Sequence, residues 1–191
     1  MNKFDPDGRE IVDENNKKVT VIQQDGNLSF SKNATKDIIR IANALNLTKT
    51  GRSQLDKLIK SDIKVHLSIS EETIDNGKSY TYAETIQGNY NKKDNYGTYY
   101  KNGNYGIKEA SITLYEGSIK ESIKQGSQLK HEGLSLEGAI GAVAGHEIVH
   151  ATNKSEISKD KASEVRGRLR KDREVLPNKI EKEIINEYNN P

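Results

Sequence analysis

The stretch Ser135–Thr152, SLEGAIGAVAGHEIVHAT, decides how this chain can fold. It is apolar over most of its length, contains no proline and opens on a serine, so it predicts a long buried helix starting at Leu136. The pattern HExxH places Glu147 between His146 and His150. At about 100° per residue, His150 lies about 40° around the helix from His146, and Glu147 about 100°. Both imidazoles can therefore converge on one ion, with the carboxylate beside them.

This spacing favours zinc chemistry. The chain has no cysteine, which excludes disulfides and thiolate zinc sites and leaves histidines and carboxylates as ligands. Zinc held by two histidines and one further ligand keeps a position for water and lowers the pKa of that water. Glu147 can accept the proton as general base and pass it to the leaving amine. We therefore predict a zinc metalloendopeptidase with His146 and His150 as metal ligands. The alternative is two hydrogen-bonded histidines on a buried structural helix.

Small residues on this helix favour the metal site. Gly138, Gly141 and Gly145 lie on the face opposite the histidines, and each costs about 1 kcal/mol of helix propensity relative to alanine. Three such residues predict close backbone packing behind the site.

The third ligand is less clearly specified. No histidine follows at the HExxHxxGxxH spacing, which excludes a metzincin. A helix predicted at 159–175 carries Glu164 beside an apolar stripe and could bring this carboxylate to the metal. Glu156, in the intervening turn, is the second choice, whereas Asp160 fits a capping role better. A solvated charge, or for Glu164 an ion pair with Arg168, is the alternative for each acid.

Other side chains give weaker signals. His131 precedes the long helix and could stabilise an oxyanion, although a surface position is the simpler interpretation. His66 is predicted to be exposed. Tyrosines of the 80–105 segment, Tyr115 or Tyr188 could also donate to an oxyanion, and the sequence does not choose among them.

The remaining pattern predicts strands and helices around the long helix. A hairpin is predicted at 18–32 with Asp25-Gly26 as its turn, and strict alternation predicts a strand at 63–69. A strand at 110–116 is the candidate edge on which a peptide could add. Residues 71–108 predict a long loop or irregular hairpin. Helices are predicted at 34–46 with Asn33 as N-cap, at 52–60, and at 159–175 and 178–188 separated by Pro177.

Charge and hydropathy exclude several classes of function. The net charge is +2, with basic and acidic residues interleaved, which argues against a nucleic-acid binder or a nuclease. No apolar run reaches the length of a membrane span, and the N-terminus lacks the apolar core of a signal peptide. If the domain is exported, another part of a longer protein must direct it.

Two parts of the chain resemble a known family. The opening NKFDPDGRE (2–10) resembles the segment that closes the core of Rhs/YD-repeat polymorphic toxins. The rest resembles the effector-type HExxH zinc metallopeptidase domains, gluzincin-like, that follow such cores: a strand, helices containing NLTKTG (46–51), the strand at 63–69, HEIVHA and a glutamate-containing helix. The resemblance covers most of the chain, but only HEIVHA and FDPDGRE are specific.

This resemblance implies an α+β, zincin-like fold, with residues 1–17 as linker and end of the Rhs-type core and 18–191 as the toxin domain. It implies secretion within a larger protein, delivery to a target cell and a cognate immunity protein in the producing cell. It also favours Glu164, although the short link between the two helices keeps Glu156 open. The competing hypothesis is a catalytically silent, zincin-like interaction domain.

Overall fold

Helices and strands mix along the chain in an α+β architecture. The structure, a computed structural model, describes residues 11–13, 17–24, 26–88 and 99–191. The helices are α1 (Lys36–Asn46), α2 (Lys49–Ile59), α3 (Glu116–Ile123), α4 (Leu136–Thr152), α5 (Lys154–Val165) and α6 (Val175–Asn189). The strands are β1 (Ile11–Val12), β2 (Lys18–Val19), β3 (Val21–Gln24), β4 (Asn27–Phe30), β5 (Lys64–Ser70), β6 (Ile74–Asp75), β7 (Tyr80–Thr81), β8 (Ala83–Gln87), β9 (Tyr99–Lys101), β10 (Asn104–Gly106) and β11 (Glu109–Tyr115).

The main sheet has five strands in the order β2-β1-β5-β11-β8. β5 and β11 run parallel in its centre, and β8 pairs antiparallel with β11 at one end. The alternation predicted for β5 is confirmed, because Val65 and Leu67 are buried whereas His66 points to the other face. The edge predicted at 110–116 is wrong. That segment is the interior strand β11, and β8, from a region predicted as loop, forms the edge beyond it.

Helix α4 packs against the sheet and against most other helices, which explains its apolar composition on every side. Ser135 caps it as predicted, accepting a hydrogen bond from the Gly138 amide at 3.0 Å. The residues that carry the candidate chemistry therefore stand on the most enclosed element of the fold.

Close packing behind α4 is confirmed at all three glycines. A Cβ on Gly141 would lie 2.6 Å from the backbone oxygen of Ala44 in α1. A Cβ on Gly145 would lie 2.3 Å from Cδ1 of Ile184, and one on Gly138 would meet the ring of Tyr188 at 2.9 Å. The absence of side chains at these positions lets α1 and α6 approach the α4 backbone.

The N-terminal region differs in part from the prediction. Ile11–Val12 is buried and pairs with β2 and β5, so these residues belong to the sheet where a linker to residue 17 was expected. The FDPDGRE segment, at 4–10, lies outside the described residues. The hairpin at 18–32 is confirmed as β3 and β4, with Gly26 at φ +80°; Asp25 is outside the described residues.

The helix boundaries shift for identifiable reasons. Thr35, not Asn33, caps α1. Asn153 ends α4 and accepts hydrogen bonds from the amides of Ser155 and Glu156, so α5 starts five residues earlier than the predicted 159. Pro177 lies in the first turn of α6 and does not separate two helices, because the amide it lacks would have no intrahelical partner there.

The segment predicted as a long loop, 71–108, contains β6 to β10 in its described part. Tyr90 and Tyr96 lie outside the described residues. No helix among those described is both long and apolar enough to span a membrane.

Candidate metal centre

Helix α4 brings its two histidines together, and a glutamate from the start of α6 joins them. The ring centroids of His146 and His150 are 5.2 Å apart. Oε2 of Glu174 lies 3.0 Å from Nε2 of His146 and 3.3 Å from Nε2 of His150. One ligand atom from each of these residues lies within 4.8 Å of the other two. Two nitrogens and one carboxylate oxygen thus face a common point.

The surroundings of the cluster shift the pKa values of Glu174 and His146. Hydrogen bonds with His146 and His150 hold the pKa of Glu174 far below its usual range, against an opposing effect of burial. Burial would lower the pKa of His146, but hydrogen bonds to Glu174 and Glu181 outweigh it and raise the pKa to about 9.

This donor set could hold a metal ion. Zinc is commonly bound by imidazole nitrogen and carboxylate oxygen, and a three-ligand protein set leaves a position for water. The two imidazole nitrogens already face one oxygen of Glu174, so a bound cation would meet all three donors without a change of partners. His146, His150 and Glu174 are the residues that would hold it.

A second glutamate of α6 fixes the orientation of His146. Oε2 of Glu181 lies 2.9 Å from Nδ1 of His146, so the Nε2 atom of that ring faces Glu174. Oε1 of Glu181 lies 2.7 Å from Nε2 of His131, and Lys130 also binds this carboxylate. Glu181 is only 2% exposed, and these cationic and imidazole partners outweigh burial and keep its pKa low.

The edge strand β8 contacts the HExxH segment through two inward-facing side chains. The Thr85 hydroxyl donates to Oε2 of Glu147 at 2.6 Å. The Gln87 side chain donates to the backbone oxygen of His150 at 2.9 Å. Oε1 of Glu147 lies 3.9 Å from Nε2 of His146. The carboxylate of Glu147 is therefore held beside the cluster without being one of its converging donors.

A cleft of about 260 Å³ opens at this point of the surface. Its walls come from β7, the start of β8, α4 and α6, so it joins the sheet edge to the histidine cluster. Its lining residues are Tyr80, Thr81, Tyr82, Ala83, Lys130, Val143, His146, Glu147 and Glu181.

The acids expected as the third metal ligand form ion pairs with basic side chains. Glu164 is near the far end of α5, where it pairs with Lys161 at 3.0 Å. Glu156 pairs with Arg170 and Lys159, and Asp160 is buried in mid-helix near Arg170 and Arg173. Helix α5 starts directly after Asn153 and runs away from it. At a rise of 1.5 Å per residue, Glu164 lies about 16 Å along the helix from Asn153.

The other candidates also have defined places. His131 is fully buried and binds Glu181 and Ser122, so its expected surface position is wrong. His66 is half-buried, not exposed. The Tyr188 hydroxyl binds Ser135 at the opposite end of α4 from the histidines, and that of Tyr115 donates to Glu84. Of the tyrosines considered, Tyr80 and Tyr82 line the cleft.

Sequence reasoning missed Glu174, Glu181 and Thr85. One signal was present for Glu174: a proline is best tolerated in the first turn of a helix, so Pro177 indicates a helix start close to residue 175. That reading would have placed Glu174 at a helix N-terminus. No local pattern identifies Glu181 or Thr85, because their roles depend on contacts between distant segments.

Comparisons with known proteins add no relative: no family model, no curated protein and no solved structure matches this chain.

Proposed function

We propose that this chain is a zinc-dependent endopeptidase with a zincin-like fold. The observation that carries the proposal is the convergence of His146, His150 and Glu174 on one point, with Glu147 beside it. The chain unites a HExxH helix, a third donor and an adjacent carboxylate that is not one of the three. Two histidines with a purely structural role would require neither the third donor nor the adjacent carboxylate.

A zinc ion in this site would supply a Lewis acid that lowers the pKa of a water molecule and polarises a carbonyl group. Glu147 would take the proton of the attacking water and deliver it to the leaving amine. The hydroxyl of Thr85 holds one carboxylate oxygen of Glu147. The other oxygen faces His146. This arrangement restricts the base to one orientation.

Glu181 would keep His146 ready to bind. By accepting the Nδ1–H of His146, its carboxylate leaves Nε2 as the atom available to a metal. The hydrogen bond also increases the electron density on the ring. This role belongs to Glu181 and is separate from that of the third ligand.

Strand β8 is the element on which a peptide substrate would bind. Within the described sheet it is the terminal strand, paired only with β11, and its Thr85 side chain contacts the proposed base. An extended peptide can add to such an edge through backbone hydrogen bonds. A substrate bound there would run past Glu147, which makes a protein segment in extended conformation the proposed substrate.

Tyr82 is the favoured donor to the oxyanion. It lines the cleft, and its ring contacts His131 edge-on at a centroid distance of 4.9 Å. Burial, with added effects of Glu181 and Tyr80, raises the pKa of its hydroxyl. The group therefore remains protonated at neutral pH and can donate. Tyr80 lines the same cleft and is the second choice.

We also propose that the domain acts as a toxin delivered by a larger secreted protein. The resemblance of residues 2–10 to the end of an Rhs/YD-repeat core supports this, together with that of HEIVHA to effector metallopeptidases. A cognate immunity protein would protect the producing cell. Expression of the wild-type domain in a bacterial cytosol should then stop growth, whereas Glu147→Gln should not. Equal growth of both strains would count against toxicity by proteolysis in that cell.

The decisive experiment compares wild type with Glu147→Gln for zinc content and for cleavage of an unfolded protein such as casein. The variant should retain about one zinc per chain and lose about 10²- to 10⁴-fold in turnover. If neither protein binds zinc after metal addition, the endopeptidase proposal fails. If both bind zinc and neither cleaves a wide panel of proteins, a catalytically silent interaction domain becomes the better description.

A further inference from the structure

Helix α5 carries two buried acids just beyond the corner that ends α4. Glu156 is 9% exposed and Asp160 is 4% exposed. They lie one turn apart on one face of the helix. A buried carboxylate is costly unless cationic groups compensate it. The cationic groups that compensate these two carboxylates also connect α5 to the metal centre.

Two arginines from the segment 166–174, between α5 and α6, supply the positive charge. The Arg170 guanidinium donates to Oε2 of Glu156, and its Nε lies 3.0 Å from Oδ1 of Asp160. Nε of Arg173 lies 3.5 Å from Oδ2 of Asp160. The Arg170 side chain is only 11% exposed. The segment is therefore held against α5 by a charge cluster largely removed from water.

This cluster reaches the donors of the metal centre at Glu174. Glu174 ends the segment; its Oε1 lies 3.8 Å from Nε of Arg173, while its Oε2 faces both histidines. Nδ1 of His150 is buried without a hydrogen-bond partner among the described residues. The arginines therefore stand between the acids of α5 and the carboxylate that completes the donor set.

We propose that Arg170 is a positioning residue which, through Glu156 and Asp160, holds the segment 166–174 so that Glu174 faces the two histidines. This inference rests on the proposed zinc site. In this role Arg170 touches neither metal nor substrate. It fixes the start of α6 and prevents Glu174, whose side chain is 52% exposed, from turning to solvent.

Lysine and arginine differ here in a useful way. A lysine keeps the charge but cannot contact two carboxylates with a planar fork. Arg170→Lys should therefore retain part of the effect, and Arg170→Met should lose it. Arg168, exposed in the same segment, offers a matched control as Arg168→Met. Arg173→Met removes the ion contacts of that side chain with Asp160 and Glu174.

The test measures two quantities on the full chain. Zinc affinity is obtained by competition with a chromophoric chelator, and amide hydrogen exchange of residues 166–174 is followed on the metal-free protein. Arg170→Met should weaken zinc binding about 10- to 100-fold, as loss of groups that support metal ligands commonly does. It should also speed exchange in 166–174 while exchange in α4 stays slow. Arg170→Lys should fall between, and Arg168→Met should match wild type.

Three results would overturn the proposal: wild-type zinc affinity in Arg170→Met, unchanged exchange in 166–174, or faster exchange spread evenly over the whole chain. The last would mean that Arg170 serves only general stability. If Arg170→Met does not fold, Arg170→Lys provides the comparison, and wild-type zinc affinity together with unchanged exchange in 166–174 in that variant would overturn the proposal. If the wild type binds no zinc, the proposed function fails, whereas the exchange measurement still tests the clamp.

Discussion

The carboxylate of Glu181 accepts from Nδ1 of His146 at 2.9 Å while it also binds His131 and Lys130. One buried acid thus fixes a proposed metal ligand to two positions in the loop before α4. This contact leads to the first prediction.

Glu181→Gln keeps the size of the side chain but removes its charge. We expect zinc affinity to fall about 10- to 100-fold, because a glutamine offers one acceptor oxygen in place of two and no charge, so it cannot accept from His131, Lys130 and His146 together and holds the ring of His146 less firmly. Chelator competition measures the effect. Glu183→Gln changes a more exposed acid of the same helix and should leave the affinity unchanged. Equal affinity of Glu181→Gln and wild type would show that the contact does not prepare the site.

The identity of the third ligand is tested by Glu174→Ala beside Glu164→Ala. Among the acids that the structure describes, only Glu174 joins both histidines in the donor cluster, so its removal should reduce zinc content from about one per chain to a small fraction after dialysis. Glu164→Ala should retain the metal, since its carboxylate pairs with Lys161. Elemental analysis gives the answer. Loss of zinc in Glu164→Ala with retention in Glu174→Ala would reverse the assignment.

Thr85→Val removes the hydroxyl that holds Glu147 while keeping the shape of the side chain. A hydrogen bond to a charged group is worth about 1.5–3 kcal/mol, so we expect peptide turnover to fall about 10- to 100-fold. Zinc content should stay at the wild-type level, because Thr85 contacts none of the three donors in the described hydrogen bonds. Thr113→Val, in the neighbouring strand and bonded to Ser68, is the matched control. Equal turnover in Thr85→Val and wild type would remove this role.

Alanine at two glycines of α4 should have unequal effects on the free energy of unfolding. At Gly141 the added Cβ would meet the backbone oxygen of Ala44 at 2.6 Å, and we expect a destabilisation of about 1–3 kcal/mol. At Gly145 it meets the terminal methyl of Ile184, which can rotate, and the gain in helix propensity of about 1 kcal/mol offsets the contact. Urea denaturation of the metal-free variants measures both. Equal losses of unfolding free energy at Gly141 and Gly145 would show that the contact with the backbone oxygen of Ala44 is not what destabilises the Gly141 variant.

Glu116 should make stability depend on pH at a place far from the histidines. Burial would raise the pKa of this acid, but hydrogen bonds from Lys120 and Arg40 outweigh burial and lower it. A lowered pKa in the folded state means that the stabilisation is present above about 4.5, the ordinary value, and is lost as the pH falls through the folded pKa.

Glu116→Gln should therefore cost about 1–3 kcal/mol at pH 7, and the difference from wild type should be smaller at pH 3. Urea denaturation of the metal-free protein at both pH values measures this difference. Glu72→Gln, an exposed acid, is the control and should show little change at either pH. A cost that stays constant with pH would mean that shape, not charge, explains the effect.

Local patterns in the sequence carry much of the fold. The alternation at 63–69 gives β5, the Ser135 cap gives the start of α4, and the glycines on one face of α4 give its close packing. The closeness of the histidine rings follows from their spacing of four residues on a helix. These features depend on a few neighbouring residues, so they can be recognised without knowledge of the rest of the chain.

The rest depends on contacts between distant segments. Strand β8 has a polar sequence, AETIQ, whose strand character comes from pairing with β11 and contact with α4. Glu174 lies 24 positions after His150, and its role depends on where α6 starts. The assignment of a helix through residue 175 removed Glu174 from consideration, although Pro177 indicated a helix start at that point.

Helix α4 is surrounded by other elements on nearly all sides, and this has a consequence for the energetics of ion binding. Two donors and the proposed base are already ordered on a helix that the hydrophobic core stabilises, and the third donor already faces the histidines from the start of α6. The conformational entropy lost on binding is then small. Unlike a zinc finger, whose chain folds around its ion, this domain should remain folded when the ion is removed by a chelator.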